Sequence, residues 1–210
     1  MRKNFMLHLA VLIGLALILG GSQCPTIPGT EDVTVTIVTE EFIELLFEAR
    51  GSLNVDSGEE MIDIDELREE LEDAGVDIST IDTIRVAQVL YGVTAYNEGP
   101  TDRRIVDGYV DIRRLPSGPS ATLVSDLDVD VYPLLGELVP APIEPGGIDF
   151  VNDLLLDILD ALKNDTGGQF FVQGSAGGVS EPTGRETNFD WRVRIYFHIP
   201  GLATVEVPDF

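Results

Sequence analysis

Asn188-Phe189-Asp190-Trp191-Arg192-Val193-Arg194-Ile195-Tyr196-Phe197-His198-Ile199 is the stretch that decides the fold. Phe189, Trp191, Val193, Ile195, Phe197 and Ile199 alternate with Asp190, Arg192, Arg194, Tyr196 and His198. Successive side chains of a strand point to opposite faces, so this period of two specifies a strand with one covered face and one wet face. Pro200-Gly201 is expected to end it, and Thr204 to Val207 to add a short final strand.

The same period recurs elsewhere. Val33, Val35 and Ile37 alternate with Thr34 and Thr36 across Asp32 to Thr39. Glu40 to Arg50 carries two patterns: Ile43, Leu45, Phe47 and Ala49 alternate with Glu44 and Glu48, while Phe42, Leu45, Leu46 and Ala49 fit a helical stripe. The strand reading is preferred, continuing through Leu53 and Val55 to a turn at Ser57-Gly58. Thr83 to Tyr96 and Ile105 to Arg113 read as strands joined into a hairpin by a turn at Asn97 to Pro100. In the second of these, Val106, Val110 and Ile112 are expected on one face, with Asp107, Tyr109 and Asp111 on the other. Thr122 to Tyr132 and Gln169 to Gln173 are further strands. Pro133 to Gly147 holds four prolines and reads as a loop, as does the Gly-rich run that ends at Gly184.

Two segments switch to a period near 3.6. Asp65 to Ala74 places Ile64, Leu67, Leu71 and Ala74 on one stripe, with Asp63 or Asp65 available as cap and Gly75 as stop. Asp149 to Lys163 has a wide apolar face built from Phe150, Val151, Leu154, Leu155, Ile158, Leu159 and Leu162. That helix must lie on a sheet or on another helix, because its polar face is acidic and surface-seeking membrane helices are basic. No regular strand–helix–strand alternation occurs, which argues against a doubly wound parallel sheet. The expected fold is mainly β: an antiparallel β-sandwich of about seven strands with two helices in the connections.

Charge narrows the partners. Among 210 residues there are 37 acids and 13 bases, a formal net charge of −24. Such a surface repels phosphates and anionic headgroups, so nucleic acid is not an expected partner and the domain is not expected to touch anionic lipid directly. The single cysteine, Cys24, excludes an internal disulfide and a Cys-based zinc site.

Cys24 stands at the end of a distinctive leader. Arg2 and Lys3 precede an apolar run from Phe5 to Leu19, broken only by His8, and Gly20, Gly21 and Ser22 follow. This order is that of a secretory signal, and the run is short for a membrane span. The segment 1–24 resembles a bacterial lipoprotein signal, with an atypical lipobox: Gly21 and Gln23 stand where Leu and a small residue are usual, and Ser22 fits. The resemblance implies that Cys24 is acylated and becomes the mature N-terminus. Cleavage after Ser22, which would release the protein, and an uncleaved anchor are the alternatives. The chain thus divides into a signal peptide over 1–23, a tether over 24–31 and a single acidic domain over 32–210.

No catalytic motif stands out. There is no Walker loop, dinucleotide fingerprint or G-x-S-x-G elbow, and His198 is the sole histidine outside the leader. Asp126, Asp128 and Asp130, with Glu137, fall at positions one, three, five and twelve of a calcium loop, yet Val131 occupies the position that needs Gly. The preferred reading lines these acids along the wet face of a strand. Asn54 to Glu60 could also donate oxygens to calcium, but an acidic turn is the preferred reading. Arg103, Arg104, Arg113, Arg114, Arg192 and Arg194 are expected in cross-strand ion pairs with Asp107, Asp111 and Asp190 rather than in an anion site. Trp191, in the apolar series, is expected in the core. The overall expectation is a non-enzymatic cell-envelope lipoprotein with a structural or ligand-binding role, tied to the membrane by its lipid and needing no cofactor. The alternatives are a secreted carbohydrate- or calcium-binding module and an Asp/Glu-based hydrolase.

Overall fold

A computed structural model describes residues 30–96, 103–183 and 188–208. The leader, Cys24, most of the tether, the turn at 97–100 and the end of the Gly-rich run lie outside the described residues. Among the described residues, eight strands form two four-stranded antiparallel sheets that pack as a sandwich, with two helices in the connections. The expected fold class is therefore present, with one strand more than expected.

The longest pairing organises the first sheet. β1 (Thr30–Arg50) and β8 (Asn188–Pro208) run antiparallel through 21 residues each, without a register shift. Ile43, Leu45, Phe47 and Ala49 face inward opposite Ile195, Val193, Trp191 and Phe189. Phe47 and Trp191 stack with ring centroids 4.6 Å apart. β3 (Arg85–Tyr96) lies on the other side of β8, and the two-residue β6 (Val139–Pro140) ends the sheet, in the order β1-β8-β3-β6.

The second sheet has the order β2-β7-β4-β5, from β2 (Val55–Asp63), β7 (Gln169–Glu181), β4 (Arg104–Arg114) and β5 (Ser120–Asp130). Several local expectations are corrected here. β1 does not continue to Val55; it stops at Arg50, where Gly51 takes a positive φ of 79° and the chain crosses to the other sheet. Ser57-Gly58 does not turn the chain back but forms an irregularity inside β2. The buried Ser57 hydroxyl accepts the Gly174 N–H at 2.8 Å and so satisfies a ladder donor that the irregularity would orphan.

β3 and β4 are not a hairpin: they belong to different sheets, and β4 pairs with β5 and β7. Within β4, the backbone at Asp107 takes φ 51° beside a register shift, so Ile105 joins Val110 and Ile112 inside while Val106 is only half-buried.

The Gly-rich run is strand, not loop. β7 extends to Glu181 because its glycines make room for large neighbours. A Cβ on Gly174 would lie 2.8 Å from Phe47 Cζ of the facing sheet, and one on Gly177 would overlap the Tyr109 ring. Pro200-Gly201 likewise does not end β8, which runs on to Pro208. Leu202 turns its backbone groups away from β1, bonding Asp77 N and Thr80 Oγ1 at 2.8 Å. Pro200, two residues back, has the same orientation, so its missing N–H falls where β3 has already ended.

α1 (Ile64–Asp73) follows β2 directly. The Asp63 carboxylate accepts the N–H groups of Asp65 and Glu66 at 3.0 and 3.3 Å, and Gly75 takes φ 75° past the end. α2 (Pro145–Lys163) starts one turn earlier than expected. It lies against β5 and β3 and buries Val151, Leu154, Leu155, Ile158, Leu159 and Leu162. Asn152 Oδ1 accepts the Val86 N–H at 3.0 Å, tying the helix to β3. α1 and α2 meet where Arg68 donates to the Ala161 carbonyl at 3.4 Å.

Close backbone contact anchors α2 on β5. A Cβ on Gly147 would overlap the Thr122 carbonyl and lie 2.5 Å from Leu123 Cα, whereas Gly146 has open space around it. Gly147→Ala is expected to destabilise the fold by about 1–3 kcal/mol. Gly146→Ala should stay within about 1 kcal/mol of the parent, on the stabilising side. Urea unfolding of the two variants measures the difference.

Candidate functional site

The register of β1 sets up the site. The inward-facing residues of β1 run back from Ala49 through Phe47, Leu45 and Ile43 to Glu41 and Thr39. Two residues from Ile43, Glu41 must face the same way. It stands opposite Phe197 and is 2% exposed. A fully buried, unpaired glutamate is rare, since desolvating a carboxylate is costly. Here the Glu41 Oε1 atom is buried and no protein group within hydrogen-bonding reach satisfies it. Thr39 Oγ1 on the same face is in the same condition, as is Glu70 Oε2 on α1.

Glu41 and Glu70 border a pocket of about 200 Å³ between β1, β2 and α1. The pocket lies where the edge strands of the two sheets approach each other and α1 packs alongside. Half of its lining residues are acids and none is a base. Glu41, Glu60 and Glu70 supply carboxylates from three different elements, while Ile43, Leu67 and Phe197 supply apolar wall. Met61, half exposed, is also in the wall.

Burial and like charge act together on these carboxyls. Burial, then the neighbouring Glu70 and Glu40 charges, push the Glu41 carboxyl up to about 7. Burial, then Glu44, push Glu60 up to about 7. Glu70 is raised too, by burial and by Glu66 and Glu69. Near neutrality the pocket therefore carries a mixture of protonated and ionised carboxyls and can exchange a proton, accept hydrogen bonds from a bound group, or neutralise a cation.

Of the acids weighed as calcium ligands in the sequence, Glu59 and Glu60 line the pocket and the others lie elsewhere. Asp126, Asp128 and Asp130 are exposed on β5 and Glu137 is exposed in the loop before β6. Asp128 is held by Arg104 Nη2 at 2.6 Å, and that bond keeps its carboxyl below the usual range. Among the described residues, no group of three or more His, Cys, Asp or Glu side chains gathers where it could hold a metal. Asn54 to Glu60 enters β2, where Asp56 pairs with Arg113 at 3.6 Å.

The arginines do sit in ion pairs, though with other acids than expected. Arg192 and Arg194 share Glu44 on β1, Arg114 pairs with Asp157 of α2, and Asp190 pairs with Arg50. Arg103 is buried and donates to Ser180 Oγ at 2.7 Å. His198 is exposed on the outer face, 3.1 Å from Glu40. Trp191 is core, 5% exposed.

Glu41 and Glu70 do not stand out as site residues in the sequence, and Glu60 reads there only as the end of an acidic turn. Extending the Ile43–Ala49 alternation by one step would have put Glu41 on the apolar face. Glu60 and Glu70 carry no such signal, because their burial depends on β2 and α1 closing over β1.

No protein-family model and no curated protein matches the chain. Among solved structures, one of turnip yellow mosaic virus aligns at 10% identity over 92% of this chain and 91% of the other, with a TM-score of 0.24. One of tobacco necrosis virus aligns at 14% identity over 85% of this chain and 88% of the other, with a TM-score of 0.23. At these scores neither likeness carries an argument about fold or function.

Glu41 gives a pH test with a definite sign. The folded chain holds the Glu41 proton up to about pH 7, whereas an unfolded chain releases it near the ordinary 4.5. Between those values the folded state binds more protons, so the stability linked to this group is full below 4.5 and is lost as pH rises through 7. Glu41→Gln should raise stability at pH 8 by on the order of 2–3 kcal/mol and make no comparable difference at pH 4. Denaturant titrations of both proteins at the two pH values measure it.

Proposed function

We propose that this chain is a non-enzymatic cell-envelope protein that is exported, anchored by lipid at Cys24, and binds a small ligand in the pocket between β1, β2 and α1. The observation that carries the binding role is the Glu41 carboxylate, nearly inaccessible, without a protein partner, and at the wall of a pocket whose other half is apolar. A structural glutamate at a core-facing position would be expected to have a partner. A donor on a ligand in the pocket would complete this group.

The leader supports the address. A positive start, an apolar run and the small residues Gly20, Gly21 and Ser22 shortly before the single cysteine fit export followed by acylation. No described helix is long and apolar enough to cross a membrane. One acyl-bearing residue and a strongly acidic domain would hold the sandwich at the surface of a bilayer without burying it, since the net charge of −24 opposes contact with anionic headgroups.

A hydrolase using paired carboxyls is the second reading, favoured by the presence of several carboxyls in one pocket. Acid–base division of labour needs environments that push two carboxyls apart, one kept protonated and one kept ionised. Here Glu41, Glu60 and Glu70 are all pushed up, and the lining carboxyl that is pushed down, Asp63, is engaged by Gln169 and by the first N–H groups of α1, which supports binding over catalysis.

Two fractionation results test the address. Expressed with its leader in a bacterial host, the chain should partition with membranes, and mass spectrometry should find an acylated N-terminal Cys24. Cys24→Ser should move it out of the membrane fraction. An unmodified N-terminus at Gln23, or an unprocessed chain in the cytoplasm, would contradict the proposal.

A further inference from the structure

We infer that the pocket between β1, β2 and α1 selects an organic cation, a small amine with an apolar body, whose ammonium group meets the Glu41 carboxylate while its body lies against Ile43, Leu67 and Phe197. The inference rests on the ligand-binding role proposed above and names the ligand class.

Three features of the site point to this chemistry. The first is the donor–acceptor count. Glu41 Oε1 and Glu70 Oε2 are buried acceptors that no protein donor satisfies. An ionised carboxylate accepts and does not donate, whereas an ammonium offers three donors and no acceptor. A neutral alcohol or an amide could satisfy one acceptor but would bring acceptors of its own towards them. An anion is excluded by repulsion, because the lining holds six acids and no base.

The second feature is the apolar half of the wall. Ile43, Leu67 and Phe197 back the pocket from the core, and the half-buried Phe42 and Ile62 with the exposed Met61 add carbon surface that an inorganic ion would not use. A calcium ion takes about six to eight oxygen ligands, and among the described residues no cluster of three or more suitable side chains is drawn together. A carbon chain or ring covering the apolar side and one charged head on the acidic side fits the two-faced lining better.

Size is the third. The volume of about 200 Å³ is modest, and a cavity of about 150 Å³ accepts a benzene ring. One ring with a short aminoalkyl arm, or a linear amine of similar bulk, fills the space. The chain's charge of −24 would draw such a cation towards the surface and favour its capture.

Benzylamine, benzyl alcohol, benzoate and calcium chloride serve as probes of the full chain at pH 8, by isothermal titration. The Met61 methyl resonance, in the pocket wall and assigned by Met61→Ile, reports where each binds. The expected result is benzylamine binding about tenfold or more tighter than benzyl alcohol. It should shift the Met61 resonance, and the preference should be lost in Glu41→Gln. Should that variant not fold, Glu60→Gln is expected to reduce the same preference. Equal binding of amine and alcohol at Met61, or Glu41-dependent binding of calcium in place of the amine, would overturn the cation inference and leave a ligand-binding pocket standing. Perturbation of Met61 by none of the probes up to tens of millimolar would overturn both.

Discussion

The uninterrupted antiparallel pairing of β1 with β8 is the constraint on which the rest of the molecule depends. Over 21 residues each, without a shift, the two strands assign every side chain to one of two faces. A slip of one residue would send Phe47 and Trp191 into solvent and the Glu44 carboxylate into the core. The inner face carries the stacked Phe47–Trp191 pair and the aliphatic row beside it. The outer face carries Glu44 clamped by Arg192 and Arg194, with Arg194 lying over the Phe42 ring at 4.7 Å. The two faces favour the same register, so the apolar and the charged interactions reinforce each other.

That register has a cost in one place. The alternation that buries Ile43, Leu45 and Phe47 also turns Glu41 inward, where burial and the Glu70 and Glu40 charges work against its ionised form. A sequence tuned for stability alone would hold an aliphatic residue opposite Phe197. The sandwich tolerates the carboxylate because the edge strands β1 and β2, from different sheets, leave a pocket between them beside α1. The site thus sits at one edge of the sandwich, where β1 and β2 belong to different sheets and side chains with a helix close the gap between them.

Much of this fold is legible locally. The Phe189–Ile199 alternation, the apolar stripes through Leu67 and Leu71 and through Leu154 and Ile158, and the capping residue Asp63 before α1 each lie within one element and need nothing from elsewhere in the chain. Features that depend on distant neighbours are not legible in this way. Gly174 and Gly177 read as loop residues until Phe47 and Tyr109 are seen to fill the space their missing side chains leave. Pro200 reads as a terminator until its missing N–H is seen to fall beyond the end of β3. Strands β3 and β4, adjacent in sequence, part into different sheets because β8 and β7, much later in the chain, take the partner positions. The candidate site follows the same division. Glu41 could be reached by continuing a local period, whereas Glu60 and Glu70 join it only through the packing of β2 and α1.

The central claim is that β-sheet register forces Glu41 into a buried, partnerless position beside the pocket. Carbon-detected NMR titration of glutamate side-chain carboxyls, with the Glu41 signal identified by its loss in Glu41→Gln, tests it most directly. The account predicts a midpoint near 7 for that one signal. A midpoint near the ordinary 4.5 would show a solvated carboxylate, and the inward placement of Glu41 would be wrong.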